Sequence, residues 1–496
     1  MFPSAKATLR WSVIGGYFGF VVLGLVIWMY GSSLHHFRAI PASSPDPGRL
    51  DVLKFVNGPP TNSVHDNLRN DTMYITSFIQ AGFTNGLMTV ANLIYLAILT
   101  SRVVILPPFD PSNIGPIENA GFVHFGDAFD INYFSEQTGV SLLEWRDVKK
   151  LPKDLTGPVE MDLVGCWTVH ATANGRKGRP HGIRLHKYLG LDPSYTPVPQ
   201  HMHMGDQHKY FHGLASLGYP GGYADGLVLG PQAHDDPSPF PSDAQGKTVP
   251  PDYHLMCMDT VYYVAGSTPF EWDKDYSPAW KFVGKYLRFT ERVTNAAEVS
   301  LRKIWNLPEG EPIPKYVAVH ARRGDFKSSC LGKPTTTCFA PLSVIAHHVD
   351  QIRNQLIERS RLSDPGSVVA SANAYQRVLF TSDETDPAFW AEVRRRGWSK
   401  FGWSESGWLP ESQSDSQQHK GVTEDEKAVQ SYIPDQWWPT LVDAACQSMA
   451  LGFVGTSGST MSVLAIRRVE EWNGGIGVMV RYGPGMYPQG EHTIPN

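Results

Sequence analysis

The chain is poor in charge. Only 18% of its 496 residues are Asp, Glu, Lys or Arg, against roughly a quarter in an ordinary soluble domain. Neither sign prevails: 43 Lys+Arg against 48 Asp+Glu leave a formal net charge of −5. A nucleic-acid binder needs a basic excess to displace counterions, so that class is excluded. Disorder is excluded as well, because 42% hydrophobic residues suffice to build cores. Internal repeats are absent. Long apolar runs are almost absent too, which rules out a polytopic membrane protein. The length exceeds one ordinary domain and suits two or three.

The one long apolar run is Trp11 to Tyr30, WSVIGGYFGFVVLGLVIWMY. About 20 apolar residues cross a bilayer core. Trp11, Trp28 and Tyr30 stand at its ends, where amphipathic rings prefer the interface, and Lys6 and Arg10 precede it. The run is longer than the usual apolar region of a cleaved signal peptide, which is the alternative reading. The expectation is a single-pass type II anchor: a cytoplasmic tail over 1–10, a membrane helix over 11–30 and a stem over 31–70, with the remainder in the Golgi or endoplasmic reticulum lumen. Asn70-Asp71-Thr72 is a glycosylation sequon and agrees with that compartment. So do cysteines free to pair there. Cys330 and Cys338 suggest a short clasp, Cys166 with Cys257 a second bridge, and Cys446, in an apolar helical stretch, a buried thiol.

From residue 71 the pattern alternates. Met73–Ile79 and Arg102–Leu106 suit strands around an apolar helix from Asn85 to Thr100, a βαβ unit. The stretch 168–256 is rich in Pro, Gly and His and is expected to be an irregular insert. A helix is expected within Ala279–Trp305. Strands are expected at Lys315–His320, Arg377–Thr381, Gly452–Val454 and Ile476–Val480. Helices are expected at Leu342–Ile357, Pro387–Arg396, Pro439–Leu451 and Ser459–Glu470. Such alternation implies parallel sheets with ligands at the strand C-termini. The domains are accordingly drawn at 71–290 and 291–496.

Three segments at strand ends can carry chemistry. Val319-His320-Ala321-Arg322-Arg323-Gly324-Asp325-Phe326 places adjacent guanidiniums where a diphosphate would bind, although a surface salt-bridge cluster or an adhesive Arg-Gly-Asp tripeptide are alternatives. Phe380-Thr381-Ser382-Asp383-Glu384 offers carboxylates to a base or ribose, or merely a helix cap. Gly455-Thr456-Ser457-Gly458-Ser459-Thr460-Met461-Ser462 leads hydroxyls into a helix N-terminus, which attracts anions. It lacks the Gly-Lys-Ser/Thr of a Walker A loop and is no dinucleotide fingerprint.

The set resembles the GDP-fucose protein O-fucosyltransferases and their α1,6-fucosyltransferase relatives. The three segments look like that family's His-x-Arg-Arg motif, Thr-Asp-Glu/Asp motif and Ser-rich loop. AGFTNGLMTVANLIYLAILTSRVVILPPF and HFGDAFD (His124–Asp130) resemble its N-terminal Gly-Phe-x-Asn-Gln turn, helix, Leu-Pro-Pro and acidic-aromatic segment. The likeness spans about 72–150 and 278–482. It implies an α/β, GT-B-like fold, two Rossmann-like domains facing a cleft. It further implies inverting transfer of fucose from GDP-fucose to a hydroxyl of a protein or glycan acceptor, with no metal and no cofactor beyond the donor. Arg322 and Arg323 would be catalytic, stabilising the leaving GDP. His320, Asp325, Asp383, Glu384, Ser459, Thr460 and Ser462 would bind the donor. Phe83, Asn85 and Gly86 would line the sugar and acceptor side. The pattern departs at Asn85-Gly86, where the family has Asn-Gln, and at Gln80-Ala81, where some relatives carry a catalytic Glu. No general base can be named, and a catalytically inactive sugar- or glycan-binding protein is an alternative. Two metal readings are also open, an Asp-x-Asp site at Asp273-Lys274-Asp275 and a cluster of His201, His203, His208 and His212.

Overall fold

Short runs of β-branched and apolar residues build two parallel sheets whose central strands are buried on both faces, as parallel sheets are. The computed structural model describes residues 52–152, 159–170, 180, 183–199, 202, 209–219, 239–363, 375–401 and 432–487. In the N-terminal half the strands are β1 Tyr74–Ser77, β2 Val103–Leu106, β3 Leu142–Glu144, β4 Asp162–Thr168, β5 Leu191–Pro197, β6 Lys209–Tyr210, β7 Leu255–Met258 and β8 Val264–Ala265. The C-terminal half holds β9 Tyr316–Ala321, β10 Arg377–Ser382, β11 Ser399–Lys400, β12 Gly452–Thr456 and β13 Ile476–Val480. The longer helices are α1 Phe83–Thr100, α2 Glu291–Trp305, α3 Leu342–Ser363, α4 Pro387–Arg395, α5 Trp438–Ser448 and α6 Thr460–Asn473.

The first sheet has strand order β3-β2-β1-β7-β4-β5 and the second β11-β10-β9-β12-β13, with β6 and β8 as a separate pair. Every ladder in them is parallel. In the second sheet the chain winds outward from β9 in one direction, then returns to lay β12 on its other side. The gap between β9 and β12 is therefore the topological switch point, where open α/β sheets bind ligands. One apolar core runs through both halves, joining Tyr74 and Leu93 to Tyr316, Phe453 and Leu464. A smaller core packs α3 and α4 against the second sheet, around Val319, Ile352 and Trp390.

The βαβ unit and the regular last third form as expected, with element ends shifted by a few residues. Two expectations need correction. The stem was drawn to residue 70, but Val56, Val64 and Leu68 are buried at 0–2% exposure. Val56 bridges Leu68, and the buried Asn67 side chain donates to the carbonyls of Asp147 and Val148. Residues 52–70 thus belong to the N-terminal half. The insert is not wholly irregular either: β5 and β6 lie inside it and β7 begins within its last two residues. The two prolines of β5 mask a strand in the sequence, and they are tolerated because β5 is an edge strand. The α1 helix is buried as expected: it is the one helix among the described residues long and apolar enough to cross a membrane, and it is mostly buried in the core of the first half. The expected anchor over 11–30 lies outside the described residues.

Both expected bridges are present, Cys166–Cys257 between neighbouring strands β4 and β7 and Cys330–Cys338 beside the Arg322 loop. Cys446 is a buried thiol, as expected, and its Sγ lies 3.6 Å from the Ala297 carbonyl.

Candidate active site

A cavity of about 450 Å³ lies between the two sheets at the switch point. Its C-terminal wall is built from strand ends. His320 and Arg322 come from β9, Ser382 and Asp383 from the end of β10, and Gly458, Ser459 and Thr460 from the turn between β12 and α6. That turn needs a glycine: Gly458 has φ 78°, a left-handed conformation that side chains resist. Ser459 then caps α6, its hydroxyl accepting from the Ser462 amide.

Hydrogen bonds zip β9 to β12 at the floor. The Thr456 hydroxyl donates to the His320 carbonyl at 3.1 Å and accepts from the Arg322 amide at 2.9 Å. His320 Nδ1 lies 2.8 Å from Ser462 Oγ. Burial, helped by the Arg322 charge, pushes the imidazole down to about 4, so His320 is neutral at physiological pH.

Arg322 lies between carboxylates. Its Nε and Nη2 each stand 2.9 Å from an oxygen of Asp325, and Nη1 is 3.2 Å from Asp383 Oδ2. Asp383 Oδ1 in turn accepts the amides of Arg323 at 2.7 Å and Gly324 at 2.9 Å. Asp383 therefore fixes both the loop and the guanidinium. Arg322 is still 28% exposed, so an incoming anion can reach it.

The N-terminal wall comes from the start of α1, with Gly82, Phe83, Thr84 and Asn85, and from Asn113, Ile114 and Tyr262. The two walls touch. Thr460 Oγ1 donates to Asn85 Oδ1 at 2.6 Å and lies 2.8 Å from Thr84 Oγ1. Residues expected to hold different parts of a donor thus meet each other across the cleft.

Four of the expected site residues do not line the cavity. Arg323 turns away: its guanidinium stands 4.7 Å from the rings of both Phe339 and Phe389, and Nε donates to Glu384 at 2.9 Å. Glu384 is 6% exposed and also holds Lys327. Burial raises this carboxyl, but Arg323, Lys327 and two backbone amides outweigh it and leave it at about 2. Arg323 and Glu384 form a buttress beneath the loop. Ser462 is fully buried and spent on His320 and the Thr456 amide. Gly86 packs inward, where a Cβ would come within 3.0 Å of Ile79 and 3.1 Å of Phe109, so a glycine is needed there for packing.

The alternatives fare as follows. An adhesive tripeptide needs a presented arginine, and Arg323 is sandwiched between rings. Asp273 and Asp275 are engaged in ion pairs with Lys274 at 3.0 Å and Arg467 at 2.9 Å. Of the four histidines, His212 is described and exposed, and the other three lie outside the described residues.

Several lining residues were missed, among them Asn113, Tyr262 and Thr440, and one of those missed carries a carboxyl group. Asp443, on α5, is partly buried, and its Oδ1 has no hydrogen-bond partner. Burial pushes its carboxyl up to about 7, with Gln447 opposing. Its signal was present in the sequence: a lone carboxylate among Leu441, Val442, Ala444 and Ala445. Such a group in a cleft is a ligand-binding candidate.

No protein-family model matches the chain, and no curated protein matches it. Solved structures show partial likeness. POFUT1 in complex with GDP-fucose aligns with a TM-score of 0.43 at 15% identity, covering 84% of this chain and 99% of that one. NodZ α1,6-fucosyltransferase soaked with GDP-fucose gives 0.32 at 11%, covering 80% and 93%. Arabidopsis thaliana FUT1 in complex with GDP gives 0.34 at 10%, covering 84% and 72%. At these scores and identities the likeness does not assign an activity.

Proposed function

We propose that the chain is a membrane-anchored, GDP-fucose-dependent glycosyltransferase that transfers fucose, with inversion, to a hydroxyl of a protein or glycan. The observation that carries this reading is the cavity at the switch point. It sets one guanidinium beside the N-terminus of α6 and, on α5, a carboxyl with an unsatisfied oxygen. A nucleoside diphosphate offers both partners. Its phosphates suit Arg322 and the Ser459–Thr460 turn. The adjacent N–H donors of guanine suit a carboxylate, and uracil and adenine lack that pair. The order of the sequence motifs supplies the fucosyl part of the reading.

In this reading the acceptor oxygen attacks the anomeric carbon, the bond to the β-phosphate oxygen breaks, and GDP departs with the electron pair. Arg322 neutralises the charge that develops. Asp383 holds Arg322 in place and Arg323 stiffens the loop from behind. Neutral His320 contributes a hydrogen-bonding edge without adding charge. Of the carboxyl groups that line the cavity among the described residues, Asp325 and Asp383 are paired with Arg322 and Asp443 is given to the base, which in this reading leaves the departing phosphate to accept the hydroxyl proton. The chemistry requires no metal.

Thermal-shift titration of the full chain with GDP, GDP-fucose, GDP-mannose and UDP-sugars in EDTA tests this. GDP and its fucose ester are expected to stabilise the protein. Stabilisation by UDP-sugars alone, or only after metal is added, overturns the donor assignment. GDP binding without any transfer or hydrolysis of GDP-fucose would instead indicate a binding protein.

A further inference from the structure

The cavity wall is divided chemically. Every acidic or basic side chain that lines it among the described residues (His320, Arg322, Asp325, Asp383 and Asp443) comes from the C-terminal half. The opposite wall offers only neutral groups, among them the amides of Asn85 and Asn113, the Thr84 hydroxyl and the rings of Phe83 and Tyr262. A ligand that bears charge finds no partner on that side, and an unpaired charge held there is costly.

From Tyr262 the neutral wall continues outward as an aromatic ledge. The rings of Tyr262 and Tyr263 lie 5.0 Å apart, and Phe270 stands 6.2 Å from the first and 6.5 Å from the second. Phe270 is 55% exposed and sits at φ 53°, ψ 37°. A bulky residue in the left-handed region is an outlier that a fold keeps only when its surroundings impose it. They do so here. The Glu271 carboxylate, 3% exposed, accepts the amides of Gly266 at 2.6 Å, Ser267 at 3.0 Å and Thr268 at 3.1 Å. On the cavity side, buried Asn92 of α1 donates to the carbonyls of Val261 and Val264 at 2.8 and 3.2 Å, pinning the loop that carries Tyr262. A large apolar ring is thus kept about half exposed, at a backbone cost, by a turn whose amides are bonded to Glu271 and which leads back to the cavity at Tyr262.

We propose that this ledge is the acceptor subsite and that it binds a neutral sugar ring, so the acceptor is a glycan. This rests on the glycosyltransferase reading, since it assigns the second substrate of the same cleft. A pyranose has an apolar C–H face that stacks on aromatic rings and equatorial hydroxyls that pair with amides and hydroxyls. It also brings no charge to the part of this wall that lines the cavity, which has none to answer it, and farther out Asp273 and Lys274 answer each other at 3.0 Å. A peptide with ionised side chains satisfies neither condition.

Ligand-observed saturation-transfer NMR on the full chain tests this directly, with cellohexaose, chitohexaose, mannohexaose and a mixed-charge hexapeptide as probes. At least one oligosaccharide is expected to receive saturation on its ring C–H protons, and the peptide none. Phe270→Ala is expected to weaken that binding roughly two- to tenfold, as loss of one aromatic contact does, while Phe270→Trp retains it. Phe270→Gly separates the ligand role from packing: it should weaken the sugar and raise Tm, because glycine relieves the left-handed backbone. A lowered Tm with sugar affinity intact overturns the proposal in favour of packing. Absence of saturation on every oligosaccharide, or saturation on the peptide that Phe270→Ala abolishes, overturns it outright. GDP is titrated into the same samples. Sugar bound at Phe270 without any GDP binding would sink the donor assignment and leave the ledge standing.

Discussion

Arg322 is the only cation lining the cavity among the described residues, because His320 is neutral near pH 7. It is also the group most dependent on geometry, since its fork reaches Asp325 and Asp383 simultaneously. Arg322→Ala is expected to lower kcat by on the order of 10²–10³, as removal of one preorganised charge stabiliser does. Arg322→Lys should restore little, because a point charge cannot span both carboxylates and a phosphate. Steady-state rates with GDP-fucose check both. Asp443 gives a pH signature. Its carboxyl titrates near 7 in the folded chain, and only the ionised form accepts two N–H donors. GDP affinity should therefore fall about tenfold per pH unit below that value and level off above it. The linkage sign for the ligand-free protein is opposite. A folded value raised above the unfolded one of about 4 stabilises at low pH, and that stability is lost as pH rises through 7. Asp443→Asn should flatten both profiles. Calorimetric titration of GDP and Tm, each against pH, read them separately.

At the scale of elements, β9, β12 and the start of α6 form one unit, and its parts were legible in the sequence to different degrees. The strands were visible because parallel strands buried on both faces read as apolar runs, as in Tyr316–Val319 and Phe453–Val454. The loop residues were visible because Arg, Asp and Ser at strand ends are chemically conspicuous. Which of them face the cavity was not visible. Arg322 and Arg323 are adjacent and alike, yet Asp383 turns one toward the cleft while Phe339 and Phe389 hold the other away. Those partners are distant in sequence, and no local pattern encodes them. Asp443 was missed for the converse reason, since a polar residue in an apolar helix looks like an interruption until the helix is placed. Strand β5 was missed because proline argues against a strand unless its edge position is known. The buttress makes its own prediction. Arg323 and Glu384 have side-chain exposures of 13% and 3%, so Arg323→Ala leaves a buried carboxylate short of a partner. Because Lys327 and the Thr385 and Asp386 amides still hold Glu384, a loss of about 1.5–3 kcal/mol is expected in urea unfolding. Arg323→Ala with Glu384→Gln should recover part of it. The Glu384 contribution should be present above its unfolded value of about 4.3 and fade as pH falls toward 2.

For the molecule as a whole, the question is whether the two sheets unfold together. The ligand-facing charges sit in one half and the Cys166–Cys257 bridge in the other. The described residues nonetheless cluster as a single compact unit, and one core passes through both sheets. The walls are also tied at the cleft by Thr460 with Thr84 and Asn85. A shared core makes separate unfolding expose apolar surface on both sides, so calorimetry on the described fold should give one transition. Two consequences separate this from independent halves. GDP at a hundred times its Kd contributes about 2.7 kcal/mol, and it should move the whole transition even though the contacts proposed for it lie mostly in the C-terminal half. Replacing Cys166 and Cys257 by alanine removes a bridge with a sequence separation of 91 residues, worth roughly 4–5 kcal/mol in the chain-entropy account. It should lower the same single transition, with the GDP increment unchanged. A transition that splits, with GDP moving only the upper part and the double alanine variant only the lower, would mean that the core joining Tyr74 and Leu93 to Phe453 and Leu464 does not couple the halves.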